Sequence, residues 1–277
     1  MSLEIDLLIQ SGSESRQGPA GKVVRFHHEG ADYALKTYTP VGLSARHVFH
    51  SLAAVWRGGL PVEDRRSVER RDFERSVLTL WAKYGFRVAE EARLPVRESV
   101  ARPVLVTKWV KGPTLGEALR APGMSIDAKF KVVAEVLADM FRRHGIALEL
   151  GEPRLVHFDC NTGNIILSRE GPVHIDFEMG RLWAPVERSA GEELAKFIRW
   201  AARDIGRTSL GAVAGLAAGQ YSARRDIVDG IIERALGRVF GFWHDGRDRA
   251  KHAADPGDVT IMDVARALQE TIGNRPR

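Results

Sequence analysis

The sequence predicts an α+β protein, in which a strand-rich N-terminal part around one long helix precedes a mostly helical C-terminal part. Residues 1–110 contain short β-branched and aromatic runs separated by Gly-containing turns, a pattern typical of strands. Residues 113–277 carry apolar residues at spacings of three and four, which predicts amphipathic helices. At 277 residues and 44% hydrophobic, the chain can bury a sizeable core. We therefore expect two parts, 1–110 and 111–277.

The first predicted strands lie on either side of a Gly turn near the N-terminus. They span Gly21–Phe26 and Tyr33–Tyr38, and the second contains Lys36 in the sequence Ala-Leu-Lys. A strand lysine is commonly a solvated edge residue, but its ammonium is also a compact charge suited to phosphate oxygens. On this segment alone, both interpretations of Lys36 stay open.

One long amphipathic helix is predicted at 67–84, ending before Gly85, with Phe73, Val77, Leu80, Trp81 and Tyr84 on its apolar face. Upstream, residues 43–57 predict an extra helix. This segment either packs on the N-terminal part or forms a lid or a membrane-surface contact.

Residues 103–112 are predicted to form a strand that runs into a linker. Helices are then expected at 126–144, 187–205, 222–240 and 258–272, the first of them stopping at Gly145. Aromatic residues in these helices recur at core spacing, so we interpret them as packing residues.

Residues 157–180 carry most of the functional information. They place His157, Asp159, Asn164 and Asp176 in the arrangement H-x-D-x4-N…I-D-F. Apolar runs at 155–156, 165–167 and 173–175 predict short strands, with a turn at 169–172. Such a hairpin would bring the two carboxylates and the carboxamide to the mouth of one cleft. Carboxylate and carboxamide oxygens are hard ligands suited to Mg²⁺.

This segment resembles the catalytic core of the protein-kinase-like superfamily, whose loop reads H-R-D-x-x-x-x-N and whose metal segment reads D-F-G. Phe158 replaces the arginine, and Asp176-Phe177-Glu178 replaces D-F-G. Both departures resemble the atypical and small-molecule branches: aminoglycoside and choline phosphotransferases, RIO-type kinases and bacterial lipopolysaccharide-core sugar kinases. The resemblance implies a two-lobed protein-kinase-like fold, with the strand-rich part as N-lobe and the helical part as C-lobe.

The resemblance also implies roles for individual residues. Asp159 would take the proton of an acceptor hydroxyl, and His157 would brace the loop. Asn164 and Asp176 would hold Mg²⁺. Glu178 would add a metal contact or cap a turn.

In the N-terminal part, the resemblance assigns Lys36 to the nucleotide phosphates and a helix glutamate to its orientation. Glu74 is our choice for that glutamate, with Glu69 and Asp72 as rivals. By the same resemblance, residues 103–112 would be the hinge of the adenine site. The hinge residues would be Thr107 at the back pocket and Lys108 C=O and Val110 N–H as adenine contacts.

The glycine loop of the protein kinases has no clear counterpart. Residues 10–21 are rich in Gly and Ser and precede the first strand, but they do not match G-x-G-x-x-G. The segment is either a looser phosphate cover or a flexible turn. The candidates for such a cover are Ser13, Ser15, Gly18 and Gly21.

These motifs and the resemblance that they carry together predict an ATP- and Mg²⁺-dependent kinase that phosphorylates a hydroxyl of a sugar or other small molecule, with a lipid-linked glycan as one option. An atypical protein serine/threonine kinase and a nucleotide-binding pseudokinase scaffold are the alternatives. The net charge of +5 favours an anionic partner. No basic-aromatic array indicates a nucleic-acid partner, and motifs of other enzyme classes are absent from the sequence.

The single cysteine excludes an internal disulfide framework. No apolar run approaches the roughly 20 residues of a membrane-spanning helix, and the acidic start at residues 1–6 is unlike a signal sequence. We therefore expect a cytoplasmic protein, with peripheral contact at the inner face of the membrane as an option. The sequence does not indicate an oligomeric state.

Overall fold

The structure is a computed structural model that describes residues 4, 14–18, 21–39, 66–96, 103–180, 184–236, 253–255 and 257–273. The predicted α+β class is confirmed: an antiparallel sheet and a long helix come first, and the rest is mostly helical. Sheet, long helix, linker strand, helices, loop and hairpin follow one another along the chain in the predicted order.

The sheet has the strand order β1-β2-β3-β4, and neighbouring strands are antiparallel. The strands are β1 (Glu14–Gly18), β2 (Gly21–His28), β3 (Ala31–Tyr38) and β4 (Val104–Lys108). Leu35 is fully buried in a cluster with Phe26, Val104 and Val106. Because successive side chains in a strand point to opposite faces, Lys36 lies on the other face from Leu35.

Helix α1 (Ser67–Lys83) packs on the Lys36 side of this sheet. Its buried apolar residues form one cluster with Tyr38 of β3 and Leu105 of β4, and Trp81 at its centre is fully buried. The helix was predicted within one residue of its observed end, and Gly85, at φ +75°, follows it. This packing places Glu74 next to the strand that carries Lys36.

The helices of the C-terminal part surround a third, larger apolar cluster. They are α2 (Leu115–Arg120), α3 (Ile126–Leu150), α4 (Val186–Ile205), α5 (Leu210–Gln220), α6 (Arg225–Leu236) and α7 (Ile261–Gly273). No described helix is both long enough and apolar enough to cross a bilayer.

Several predicted bounds were wrong. The helix expected to stop at Gly145 continues to Leu150 and ends at Gly151, which has φ +62°. An interior glycine costs a helix only about 1 kcal/mol relative to alanine, and burial of Ala147 continues the packed face beyond it. Residues 222–224 form a 3₁₀ turn before α6 instead of a helical start, and residues 237–240 lie outside the described ranges.

The predicted hairpin is present as β5 (Ile165–Ser168) and β6 (Gly171–His174), joined by a turn at residues 169–170. The strand expected at residues 155–156 was wrong, because Pro153–Leu155 forms a 3₁₀ turn instead. The helix expected at 43–57 lies outside the described residues.

Candidate functional site

A cavity of about 640 Å³ opens between the sheet, α1 and the segment that follows α3. This volume lies within the range of small-molecule and cofactor sites. Most of the site residues predicted from the sequence line it: Lys36, Glu74, Thr107, Lys108, Val110, Asp159, Asn164, Asp176 and Glu178. His157 is not among its lining residues and lies buried behind it.

Lys36 is surrounded by three carboxylates. Its Nζ donates to Glu74 Oε2 at 2.8 Å and to Asp176 Oδ1, and Glu178 Oε2 lies 3.6 Å away. Burial by itself would lower the pKa of Lys36, but the neighbouring carboxylates, Glu74 foremost, raise it above the usual value. The ammonium therefore stays charged throughout the physiological range.

Of the three acidic candidates on α1, the structure brings Glu74 to Lys36. Glu74 Oε2 also accepts from the Tyr38 hydroxyl at 2.6 Å, and Oε1 accepts from Phe177 N–H at 3.3 Å. Glu69 instead accepts from Arg66 N–H at the start of the helix, and Asp72 pairs with its neighbour Arg71. Glu74 thus joins β3, α1 and the segment that carries Asp176.

Asp176 and Glu178 face the same ammonium. Asp176 has φ +66°, a left-handed conformation that costs a non-glycine residue about 1–2 kcal/mol. Burial raises the pKa of Asp176, but Lys36 outweighs it and leaves the value below normal. Burial also raises the pKa of Glu178, and there the nearby carboxylates help to keep it above normal despite Lys36.

The loop from His157 to Asn164 is held by its own side chains. Asn164 Nδ2 donates to the main-chain oxygen of Asp159 at 2.9 Å and to its Oδ2 at 3.3 Å. Asn161 Nδ2 reaches the same carboxylate oxygen at 3.4 Å. Asp159 Oδ2 is therefore fixed by two carboxamides, and Ile175 N–H donates to Asn164 O at 3.0 Å, which ties the loop to the Asp176 segment.

His157 braces this loop from behind. Its Nε2 lies 3.0 Å from Ile175 O, and its Nδ1 accepts from Asp159 N–H at 3.3 Å. Since a carbonyl oxygen can only accept, the hydrogen bonds assign a neutral ring with the proton on Nε2. Burial lowers the pKa of His157 to about 4, which agrees with a neutral ring.

An ion network that the sequence analysis missed lies beneath the loop. Glu193 of α4 accepts from His157 N–H at 2.7 Å and pairs with both Arg143 and His144 of α3. Arg143 also donates to Leu155 O, and Tyr221 OH lies 2.9 Å from His144 Nδ1. One signal was visible in the sequence: Glu193 lies four residues before Phe197, on the apolar stripe of its helix.

The predicted hinge residues also line the cavity. Thr107 and Lys108 end β4, and Val110 follows. The Lys108 ammonium pairs with Glu90 at 2.7 Å, so the cavity contact to be expected of Lys108 is its main chain. Trp109 N–H donates to Asp32 O at 2.9 Å, which fixes the segment against the sheet.

The structure describes only part of the segment that was predicted to cover the phosphates. Ser13 lies outside the described residues, and Ser15 is described only as backbone in β1, paired with Val24. Of that segment, Gly21 lines the cavity. A Cβ there would lie 2.0 Å from Thr37 O, so the close pairing of β2 with β3 requires glycine at this position.

The donor set fits a hard divalent cation. Glu74, Asp176 and Glu178 can each offer an oxygen, and these three oxygens lie within 4.8 Å of one another. Because Glu74 is committed to Lys36, Tyr38 and Phe177 N–H, the carboxylates suited to Mg²⁺ are Asp176 and Glu178. Asn164 donates through Nδ2, which leaves its carbonyl oxygen as the atom suited to a cation.

No protein-family model and no curated protein matches the sequence. Among solved structures, the chain is similar to the apo form of a pseudokinase, with 12% sequence identity and a TM-score of 0.43. The match covers 100% of this chain and 98% of that one. A likeness of this degree carries no conclusion about function, which depends on the geometry of the site itself.

Proposed function

We propose that the protein is an ATP-dependent phosphotransferase that transfers the γ-phosphoryl group to a hydroxyl of a sugar or other small molecule. One observation carries the proposal: a single cavity holds the Lys36–Glu74 pair beside Asp176 on one wall and the fixed Asp159–Asn164 pair on another. A phosphate-binding cation, metal-suited oxygens and a carboxylate base are the parts that phosphoryl transfer requires.

The nucleotide would lie along the β2–β4 side of the cavity. The adenine edge would pair with Lys108 C=O and Val110 N–H, and Thr107 would line the pocket behind it. Lys36, held by Glu74, would then exchange its bond to Asp176 for phosphate oxygens. The Tyr38 hydroxyl and Phe177 N–H keep Glu74 in place during that exchange.

The residues suited to hold Mg²⁺ are Asp176 and Asn164, with Glu178 as a further carboxylate. When bound, the ion would neutralise negative charge on the phosphate oxygens. Release of Asp176 from Lys36 would make this carboxylate available to the cation.

Asp159 would act as the base. Two carboxamides orient its Oδ2, and Asn164 and His157 hold its main chain, so the carboxylate has a defined direction. As the acceptor oxygen bonds to the γ-phosphorus, its proton passes to Asp159, and the bond from that phosphorus to the β–γ bridging oxygen breaks to release ADP. Positioning and electrostatics supply most of the rate in such reactions.

The acceptor class rests on the resemblance alone. Phe158 and the D-F-E segment favour a small-molecule acceptor over a protein acceptor. A lipid-linked glycan, reached by peripheral contact with the inner face of the membrane, is the version of this proposal that would use residues 43–57, which lie outside the described residues.

The test is transfer of label from γ-³²P ATP with Mg²⁺ to cell-envelope glycan, to small sugars and to a protein mixture, assayed separately. Wild type is compared with Asp159→Asn, and removal of the general base should reduce transfer by about 10²- to 10⁴-fold. Label on a sugar or glycan in wild type alone supports the proposal, whereas label on protein alone would move the acceptor to serine or threonine side chains.

A nucleotide-binding scaffold is the second candidate, and one observation favours it. Lys36 pairs with both Asp176 and Glu74, so the cation expected at the nucleotide phosphates is already bound by carboxylates of the site. The scaffold would be established, and the kinase contradicted, by nucleotide binding without transfer to any acceptor pool, together with residual ATP turnover that is the same in Asp159→Asn as in wild type.

A further inference from the structure

Helix α4 contacts the Asp159 loop at two neighbouring points. Glu193 accepts from His157 N–H at 2.7 Å, and Lys196 Nζ donates to Phe158 O. Residues three apart lie on one face of a helix, so both side chains reach the loop from the same direction. Glu193 is fully buried, but Lys196 is half-buried and lines the cavity.

The position of Lys196 differs from that of the other two lysines of the cavity. Lys36 enters from the sheet and lies among Glu74, Asp176 and Glu178, where the nucleotide phosphates are expected. Lys108 is paired with Glu90. Lys196 enters from the helical side, and its bond to Phe158 O sets it at the residue directly before Asp159.

We propose that Lys196 binds anionic oxygen at the acceptor end of the cavity, either on the transferred phosphoryl group or on an acidic substituent of the acceptor. This inference rests on the proposed function, because it takes Asp159 as the base. Neither the H-x-D-x4-N segment nor the D-F-E segment contains this lysine.

Charge explains why a cation is useful at this point. Asp159 is a carboxylate, and it repels phosphoryl or carboxylate oxygens that approach the same end of the cavity. Phe158 O accepts one hydrogen of the ammonium and so positions it at the residue directly before Asp159. An ammonium has three donors, and its hydrogen bonds to anionic oxygens are about twice as strong as neutral ones.

Two probes separate the two sources of anionic oxygen. Tetrafluoroaluminate added to protein saturated with MgADP reports on the position of the transferred phosphoryl group. Inorganic phosphate added to protein saturated with Mg²⁺ and a non-hydrolysable ATP analogue reports on the acceptor side, because the γ position is then filled. Binding of each probe is measured calorimetrically for wild type, Lys196→Met and Lys196→Arg.

The loss of one charge-assisted contact should weaken one of the two probes by about tenfold in Lys196→Met. Lys196→Arg, which keeps the charge, should stay within about threefold of wild type. MgADP affinity should change by less than about twofold in both variants, since Lys36 holds the nucleotide. The probe that weakens identifies the source of the anionic oxygen.

Arg203→Met is the matched control. Arg203 lies on the same helix and its loss removes the same charge, but it pairs with Asp255 at 3.5 Å and does not line the cavity. It should bind both probes as wild type does. If Arg203→Met and Lys196→Met lose probe affinity equally, the effect comes from the change in net charge, and the inference is overturned.

Three outcomes separate this inference from the proposed function. If Lys196→Met binds MgADP and both probes as wild type does, the role of Lys196 is contradicted but the proposed function is not. The same conclusion follows if wild type binds MgADP but neither probe. Wild type that fails to bind MgADP contradicts the proposed function and the inference with it. If Lys196→Met does not fold, Lys196→Gln takes its place in the same comparison.

Discussion

Two ion clusters lie on opposite sides of the loop that carries Asp159, and they differ in exposure and in charge balance. Behind the loop, Arg143 and Glu193 are fully buried and are joined by His144 and Tyr221 in one hydrogen-bond network. None of these four residues lines the cavity. In front of it, Lys36 meets Glu74, Asp176 and Glu178, all of which line the cavity.

The charges explain what each cluster can do. Behind the loop, one arginine is matched by one glutamate, and although burial by itself raises the pKa of Glu193, Arg143 and His144 hold it well below normal. In front, among the residues that the structure describes, two cations, Lys36 and Arg70, face three carboxylates. A balanced and closed cluster suits a structural role, whereas a cluster with excess negative charge beside a cavity suits a metal ion.

The largest expected effect concerns the buried cluster. Glu193→Gln leaves Arg143 without its counter-charge in the interior, and breaking a buried pair in this way costs about 3–5 kcal/mol of unfolding free energy. Urea denaturation of wild type and variant measures the loss.

Glu74→Gln is the matched isosteric change in the open cluster. Lys36 keeps Asp176 and Glu178 there, so the loss of unfolding free energy should be no more than about 1–2 kcal/mol. Similar losses in the two variants would remove the distinction between a structural and a functional cluster.

The next effect in size is the pH dependence of stability that comes from His157. Burial lowers its pKa from 6.5 to about 4 in the folded protein, so between these values the unfolded chain binds the proton more readily. Stability from this group is complete above pH 6.5 and is lost as pH falls towards 4, by about 3 kcal/mol in all.

His157→Gln should flatten this part of the profile, and unfolding free energies at pH 4.5 to 7.5 measure it. Other groups set the background slope, since burial lowers the pKa of His144 as well. Val133→Ala is the control, because it removes buried apolar surface and no titrating group, so its unfolding free energy should fall by the same amount at every pH. An equal slope in wild type and His157→Gln would show that His157 is not the titrating group.

A smaller effect, on the rate of phosphoryl transfer, is expected from the loss of the bond by which Glu74 positions Lys36. In Glu74→Gln, the ammonium loses the partner that holds it between β3 and the Asp176 segment. Misplacement of a substrate-positioning group costs about 10²-fold in rate, so kcat for phosphoryl transfer should fall by that order. Glu69→Gln, on the same helix but bonded to Arg66 N–H, should keep wild-type kcat. Full activity of the Glu74→Gln variant would show that Lys36 does not need Glu74 to position it.

The sequence predicted those parts of the molecule that local patterns determine. The α+β class, the long helix and the hairpin follow from short segments with clear periodicity. The residues that meet in the cavity were predicted from the H-x-D-x4-N and D-F-E spacing and, for Lys36, Glu74 and the hinge residues, from the resemblance that this spacing carries. Lys36 and Asp176 lie 140 residues apart, yet each stands at a fixed point of a strand or turn pattern.

What the sequence did not predict depends on tertiary contact. Helix α5 was missed because its Ala- and Gly-rich sequence, Leu210–Gln220, has no polar face to give a period. Its burial against α4 and α7 defines it instead. Glu193 and Lys196 were missed as loop contacts because nothing local to α4 shows which segment packs on it.

The most direct test of the account is calorimetric binding of ATP in the presence and absence of Mg²⁺, for wild type, Lys36→Met, Asp176→Asn and Glu193→Gln at a temperature where all are folded. Wild type should bind ATP more tightly with Mg²⁺. Asp176→Asn should lose that Mg²⁺ dependence, Lys36→Met should lose affinity with or without the ion, and Glu193→Gln should resemble wild type. Wild-type protein that binds no ATP, or binding that is indifferent to Lys36 and Asp176, would contradict the assignment of this cavity as a magnesium–nucleotide site.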